Sequence, residues 1–132
     1  MTDASAKLTG VWHGLYTYAN GLSVSFVATL IENGSHVSGS THEPCGLDEL
    51  AASTLYATLV GQRQDSVVTF VKTYDGDRPG YLDPIAYDGT LSHDGTEIEG
   101  RWTISARHSG KFLMVRSTGK DAAIAREVLE RA

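Results

Sequence analysis

One signal recurs along this chain and divides it: any residue, then Asn or Asp, then Gly. It stands at Ala19-Asn20-Gly21, Glu32-Asn33-Gly34, Tyr74-Asp75-Gly76, Tyr87-Asp88-Gly89 and His93-Asp94-Gly95. Glycine reaches left-handed backbone angles without steric cost, and Asn and Asp favour turns, so each copy is a candidate tight turn. The segments between are rich in Val, Thr, Ser, Tyr and Phe, which suit pleated, half-buried strands. Strands joined by loops this short form an antiparallel meander. At least three of the five copies read as hairpin turns. The Tyr87 copy falls inside a strand, where its glycine marks a bulge or a close contact.

These breaks predict eight strands: Leu8 to Tyr18, Leu22 to Ile31, His36 to Glu43, Ser53 to Gln62, Val67 to Tyr74, Ile85 to Ser92, Thr96 to Ser105 and Lys111 to Ser117. The longest Gly/Pro/Asp segment, Asp75 to Pro84, joins the fifth to the sixth. Eight strands can close and remove their edges. The expected fold is therefore all-β, an eight-stranded antiparallel up-and-down barrel, in one domain spanning residues 1–132. A two-sheet sandwich is the alternative, but it needs longer crossovers. After the last strand the period changes. Residues 121–131 are almost all helix formers, with Ile124, Ala125, Val128 and Leu129 on one face. A C-terminal α-helix packed on the barrel wall or across one mouth is expected there.

Alternation along each strand separates inside from outside. In the first strand Trp12, Gly14, Tyr16 and Tyr18 share a face. A three-residue loop at Ala19-Asn20-Gly21 pairs Tyr18 with Leu22 and Tyr16 with Val24. Leu22, Val24, Phe26, Ala28 and Leu30 then point inward with Trp12. A two-residue loop would turn this apolar set outward. The same alternation turns Val68, Phe70, Lys72 and Tyr74 inward, and likewise Ile85, Tyr87, Gly89 and Leu91. Ile98, Gly100, Trp102 and Ile104 follow, then Phe112, Met114 and Arg116. In the third strand the inward face is Val37, Gly39, Thr41 and Glu43, in preference to His36, Ser38, Ser40 and His42.

The formal net charge is −5, and no three Lys or Arg lie close together. Nucleic acid and anionic membrane surfaces attract basic patches, so neither is an expected partner. No apolar run approaches the ~20 residues of a membrane-spanning helix. Cys45 is the only cysteine, which excludes an internal disulfide. The N-terminal residues carry no secretion signal, and a cytoplasmic protein is expected.

Gly10-Val11-Trp12 at the head of a β-meander resembles the Gly-X-Trp opening of the calycins: lipocalins, fatty-acid-binding proteins and avidins. In that group the Trp plugs the closed end of the barrel, and a basic residue of the last strand packs across it. Arg116 matches that residue. The layout is most similar to avidin and streptavidin. Leu8-Thr9-Gly10-Val11-Trp12 resembles their first strand, Val37-Ser38-Gly39-Ser40-Thr41 their third, Thr58-Leu59-Val60-Gly61 their fourth and Val67-Val68-Thr69-Phe70-Val71-Lys72 their fifth. The biotin site does not carry over. Gly14 stands at the family's Asn, Thr41 at its Tyr and Glu43 at its Ser, while Phe70 and Tyr87 occupy aromatic positions and Trp102 matches well. The resemblance implies a barrel that holds a small molecule other than biotin.

The expected ligand-binding set is Tyr16, Thr41, Glu43, Phe70, Lys72, Tyr74, Tyr87 and Trp102. Inward aromatic residues with a few charged anchors make up a typical ligand pocket. An inward lysine needs a counter-charge, and Glu43 is its natural partner. The expected function is non-catalytic binding of a small, partly apolar, anionic molecule, the anion suiting Lys72. The alternative is a small-barrel isomerase or hydratase using Lys72, Glu43 or a Tyr as acid or base. A protein-binding barrel of the secreted, disulfide-stapled kind does not suit this chain. His36 and His42 share a face but lie ~20 Å apart along one strand. No His pair has zinc-site spacing. His42-Glu43-Pro44-Cys45 reads as a plain strand end, and Asp75, Asp77 and Asp83 as turn residues rather than a calcium loop. No P-loop, dinucleotide fingerprint or nucleophile elbow occurs, so no cofactor is expected. Val11, Leu15, Leu113 and Val115 face outward, where they would lie under the helix or form a homo-oligomer contact.

Overall fold

The computed structural model describes residues 7–44, 54–76, 83–105 and 108–117. Its strands are β1 (Gly10–Thr17), β2 (Ser23–Asn33), β3 (His36–Pro44), β4 (Thr54–Gln64), β5 (Val67–Tyr74), β6 (Ile85–Leu91), β7 (Glu97–Ser105) and β8 (His108–Arg116). Each pairs antiparallel with the next, and β8 returns to β1 from Trp12↔Arg116 to Thr17↔Lys111, closing the barrel. The eight-stranded antiparallel barrel expected from the turn signals is the fold. The segment read as a helix, 121–131, lies outside the described residues, as does Cys45.

Local chemistry explains the registers. The Tyr18 amide donates to the Leu22 carbonyl at 2.8 Å, and the Asn20 side chain accepts from the Leu22 amide at 2.9 Å. The three-residue loop is therefore formed, and Tyr16 pairs with Val24. Leu22 itself is 64% exposed, against the inward expectation. It falls just before β2, past the last rung, where no facing wall buries it. At the next hairpin Asn33 pairs with His36, so the turn is Gly34-Ser35 and Glu32 belongs to the strand. The β4–β5 hairpin turns on Asp65-Ser66 without any glycine, Asp65 taking φ 56°. This lengthens β4 by two residues beyond Gln62 and sends Arg63 inward. The Tyr87-Asp88-Gly89 copy does lie within β6. A side chain at Gly89 would meet Phe112 Cζ at 2.8 Å, so close packing excludes one there.

The interior holds Trp12, Phe26, Ala28, Leu30, Val37, Leu59, Val68, Phe70, Ile98, Phe112 and Met114, all buried. Val37, Thr41 and Glu43 are buried while His36 and His42 are exposed, as the third-strand reading expected. On the outer wall Val11 is exposed, and Leu15, Leu113 and Val115 are half-buried.

One end of the barrel is sealed. Trp12 is fully buried and donates its indole N–H to the Leu8 carbonyl at 2.8 Å. The Arg116 guanidinium carbon stands 4.4 Å from the Trp12 ring centroid. Its nitrogens donate to the carbonyls of Gly95 (3.1 Å), Thr9 (3.4 Å) and Lys7 (2.8 Å). Glu32 accepts both the Leu8 amide at 2.8 Å and Arg63 at 3.1 Å. This second clasp holds the N-terminal residues against the plug.

Candidate functional site

Barrels of eight strands are narrow enough for side chains to meet across the axis. Inward positions on β1, β3 and β5 here carry Tyr16, Glu43, and Lys72 with Tyr74. They meet in one network. Lys72 Nζ donates to Glu43 Oε1 at 2.7 Å, and both side chains are 1% exposed. The Tyr16 hydroxyl donates to Glu43 Oε2 at 2.6 Å. The Tyr74 hydroxyl lies 3.1 Å from both carboxylate oxygens. Glu43 thus accepts from three side chains, which offsets the cost of burying its charge.

The ammonium is also fenced by rings. It lies 4.9 Å from the ring centroid of Tyr16, 5.1 Å from Phe26, 4.7 Å from Tyr74 and 5.9 Å from Tyr87. Burial pulls the Lys72 ammonium below the usual lysine range, and the Glu43 charge opposes that fall. Burial first, and then the Glu43 charge, push the Tyr16 and Tyr74 phenols far above the usual tyrosine range. Tyr87 is raised by burial, with smaller contributions from Tyr74 and Glu43. All three phenols are therefore neutral hydrogen-bond donors at ordinary pH.

Above this network the barrel opens into a small cavity of about 80 Å³. Tyr16, Tyr74, Tyr87 and Trp102 of the expected set line it, together with Tyr18, Asp83, Ile85 and Ile104. Tyr18 and Ile104 are 41% and 39% exposed, so their inward positions serve as rim rather than core. The Trp102 indole N–H donates to the Thr17 carbonyl at 3.0 Å, which fixes the ring across the β1 end. Tyr16, Tyr18 and Trp102 stand pairwise near-perpendicular, at 75°, 75° and 80°, with centroids 5.4 to 6.1 Å apart.

The rest of the expected set lies deeper. Glu43 and Lys72 sit behind the tyrosines and do not line the cavity. Phe70 stacks on Tyr87 at 5.0 Å and 17°, stiffening one wall from behind. Thr41 is 2% exposed, and its Oγ1 has no hydrogen-bond partner among the described residues. Its flanking partners across the sheet are Ala28 and Ala57, which offer no polar group. Asp83 precedes β6 in a stretch without periodicity, so alternation gave no signal for it. No group of His, Cys, Asp and Glu among the described residues is arranged to hold a metal ion. The Phe26 ring occupies the space that a side chain at Gly14 would need.

No protein-family model matches the chain, and no characterised protein matches it in sequence. Solved structures do share the fold. A de novo designed fluorescence-activating beta barrel is 13% identical, with a TM-score of 0.62, covering 88% of this chain and 99% of that one. A redesigned beta barrel is 14% identical, with a TM-score of 0.66, covering 89% of this chain and 98% of that one. At such identities the likeness is one of architecture.

Proposed function

We propose that this barrel is a non-catalytic binder of a small, partly apolar molecule held in its open mouth. The observation that carries the reading is the contrast between the two ends. One is sealed by Trp12 and Arg116, while the other opens between aromatic walls over the Tyr16–Glu43–Lys72–Tyr74 network. Aromatic walls with a few fixed polar groups are the usual makeup of a ligand site. The designed fluorescence-activating barrel has the same architecture and lends the reading general support. The Arg116 contact with Trp12 supports the calycin-like part of it.

Size narrows the ligand. A cavity of about 80 Å³ is far below the ~300–1,000 Å³ of pockets for drug-sized molecules. A ligand of a few heavy atoms suits it, and a fatty acyl chain does not. Charge narrows it further. Lys72 is engaged by Glu43 and ringed by four aromatic side chains, so it offers no free ammonium to an anion. The acid–base alternative draws little support, because burial makes the Tyr16 and Tyr74 phenols at the cavity wall reluctant to release a proton and Lys72 and Glu43 sit behind them.

A fragment screen read by amide chemical shifts tests the proposal. Ligands should move resonances of Tyr16, Tyr18, Tyr87 and Trp102 together. Shifts confined to the outer wall, or none at millimolar fragment, would overturn it.

A further inference from the structure

We propose that the mouth is an aromatic cage for a small alkylated ammonium group. The inference rests on the reading of the mouth as a small-molecule site and names the ligand's chemistry.

Ring faces carry negative potential and ring edges positive. A cation is therefore held best where several faces converge and water is thinned out. Tyr16, Tyr18 and Trp102 line the same cavity as an edge-to-face cluster, centroids 5.4 to 6.1 Å apart, and Tyr74 and Tyr87 add two further rings to its wall. Asp83 lines it too and supplies a carboxylate. The lining holds no Lys, Arg or His among the described residues. An anion placed there would face ring quadrupoles and a like charge.

The barrel already holds one cation in this way. The Lys72 ammonium lies within 6 Å of four ring centroids, Tyr16 among them. Its charge is matched by Glu43 at 2.7 Å, so it does little to repel a second cation beyond Tyr16. The small volume suits a compact head group rather than a long chain.

The test compares two probes by calorimetric titration of the full chain at low salt: choline, and its neutral isostere with a tert-butyl group in place of trimethylammonium. Shape is shared, so the difference reads charge. Choline should bind about tenfold more tightly, from a cation–π gain of about 1.4 kcal/mol. Tyr18→Leu keeps an apolar wall at a largely exposed position and removes the ring. It should weaken choline about fivefold and the neutral probe by clearly less, so that the ratio between the two probes narrows. Asp83→Asn should weaken choline and flatten its salt dependence. Equal or tighter binding of the neutral probe overturns the cation while leaving the small-molecule reading standing. So does failure of both probes when the fragment screen finds other ligands in the mouth. Failure of both probes together with an empty fragment screen overturns the two readings at once.

Discussion

Lys72 and Glu43 meet at 2.7 Å with both side chains withdrawn from water, and Glu43 is shared with two tyrosine hydroxyls. The lysine is thus the sole cation of a buried network that is otherwise acidic or neutral. Lys72→Met removes the counter-charge and leaves the carboxylate. Breaking a buried pair costs about 3–5 kcal/mol, and the two remaining phenol donors place this case near the lower figure. The double variant Lys72→Met with Glu43→Gln removes both charges and keeps an acceptor for the phenols. Its loss in urea unfolding should fall short of the sum of the single losses by more than about 1 kcal/mol. Additive losses would show that the pair is not an energetic unit.

The same burial sets an alkaline limit. Tyr16, Tyr74 and Tyr87 are raised in the folded chain above the ordinary tyrosine value of 10.0. Above that pH the unfolded chain sheds protons that the folded chain retains, so stability falls as pH rises. Lys72 acts in the opposite sense. Its folded value lies below the ordinary 10.5, so between the two the unfolded chain binds more protons and stability rises with pH. The expected profile climbs gently up to about pH 10 and then drops. Absorbance of tyrosinate should report these three phenols only when the barrel unfolds. Their titration in a chain with intact circular dichroism would contradict the assignment.

Among the described residues, the buried Thr41 hydroxyl oxygen has no hydrogen-bond partner. Thr41→Val keeps the shape and removes the polar atom. Relief of an unsatisfied buried group should stabilise by roughly 1 kcal/mol. Calorimetry should show a higher Tm, and a lower Tm would mean that the hydroxyl is satisfied in solution.

Arg116 acts as a plate over Trp12 and as a fork on three carbonyls. Arg116→Met should cost about 2–3 kcal/mol through the lost charge-assisted hydrogen bonds. Arg116→Lys should recover less than half of that, because an ammonium cannot span the same acceptors. Equal stability of the lysine variant and the parent would reduce the contact to simple charge.

Alternation and turn chemistry carried most of the fold. They placed Trp12, Tyr16, Glu43, Lys72 and Tyr87 on one inner surface, because a period of two leaves little freedom once the first hairpin is set. They failed where the period ends. Leu22 lies past the last rung, and Ile104 sits beside the register shift between Thr103 and Ser105. Arg63 gives no inward signal in the sequence because its turn uses Asp65-Ser66, which lacks the glycine of the β1–β2, β2–β3 and β6–β7 hairpins. Inward direction also says nothing of depth. Phe70 and Thr41 point to the axis as expected but lie beneath the cavity, and Asp83 reaches its rim from a segment with no strand period.

The seal of Trp12 and Arg116 makes the barrel a cup rather than a tube. A guest held in the proposed site above Tyr16 and Trp102 would depart by the path on which it arrived. Capture and release then share one doorway. A substitution at the rim that narrows it slows both alike and leaves the equilibrium nearly untouched, whereas a change deeper down alters how long the guest stays.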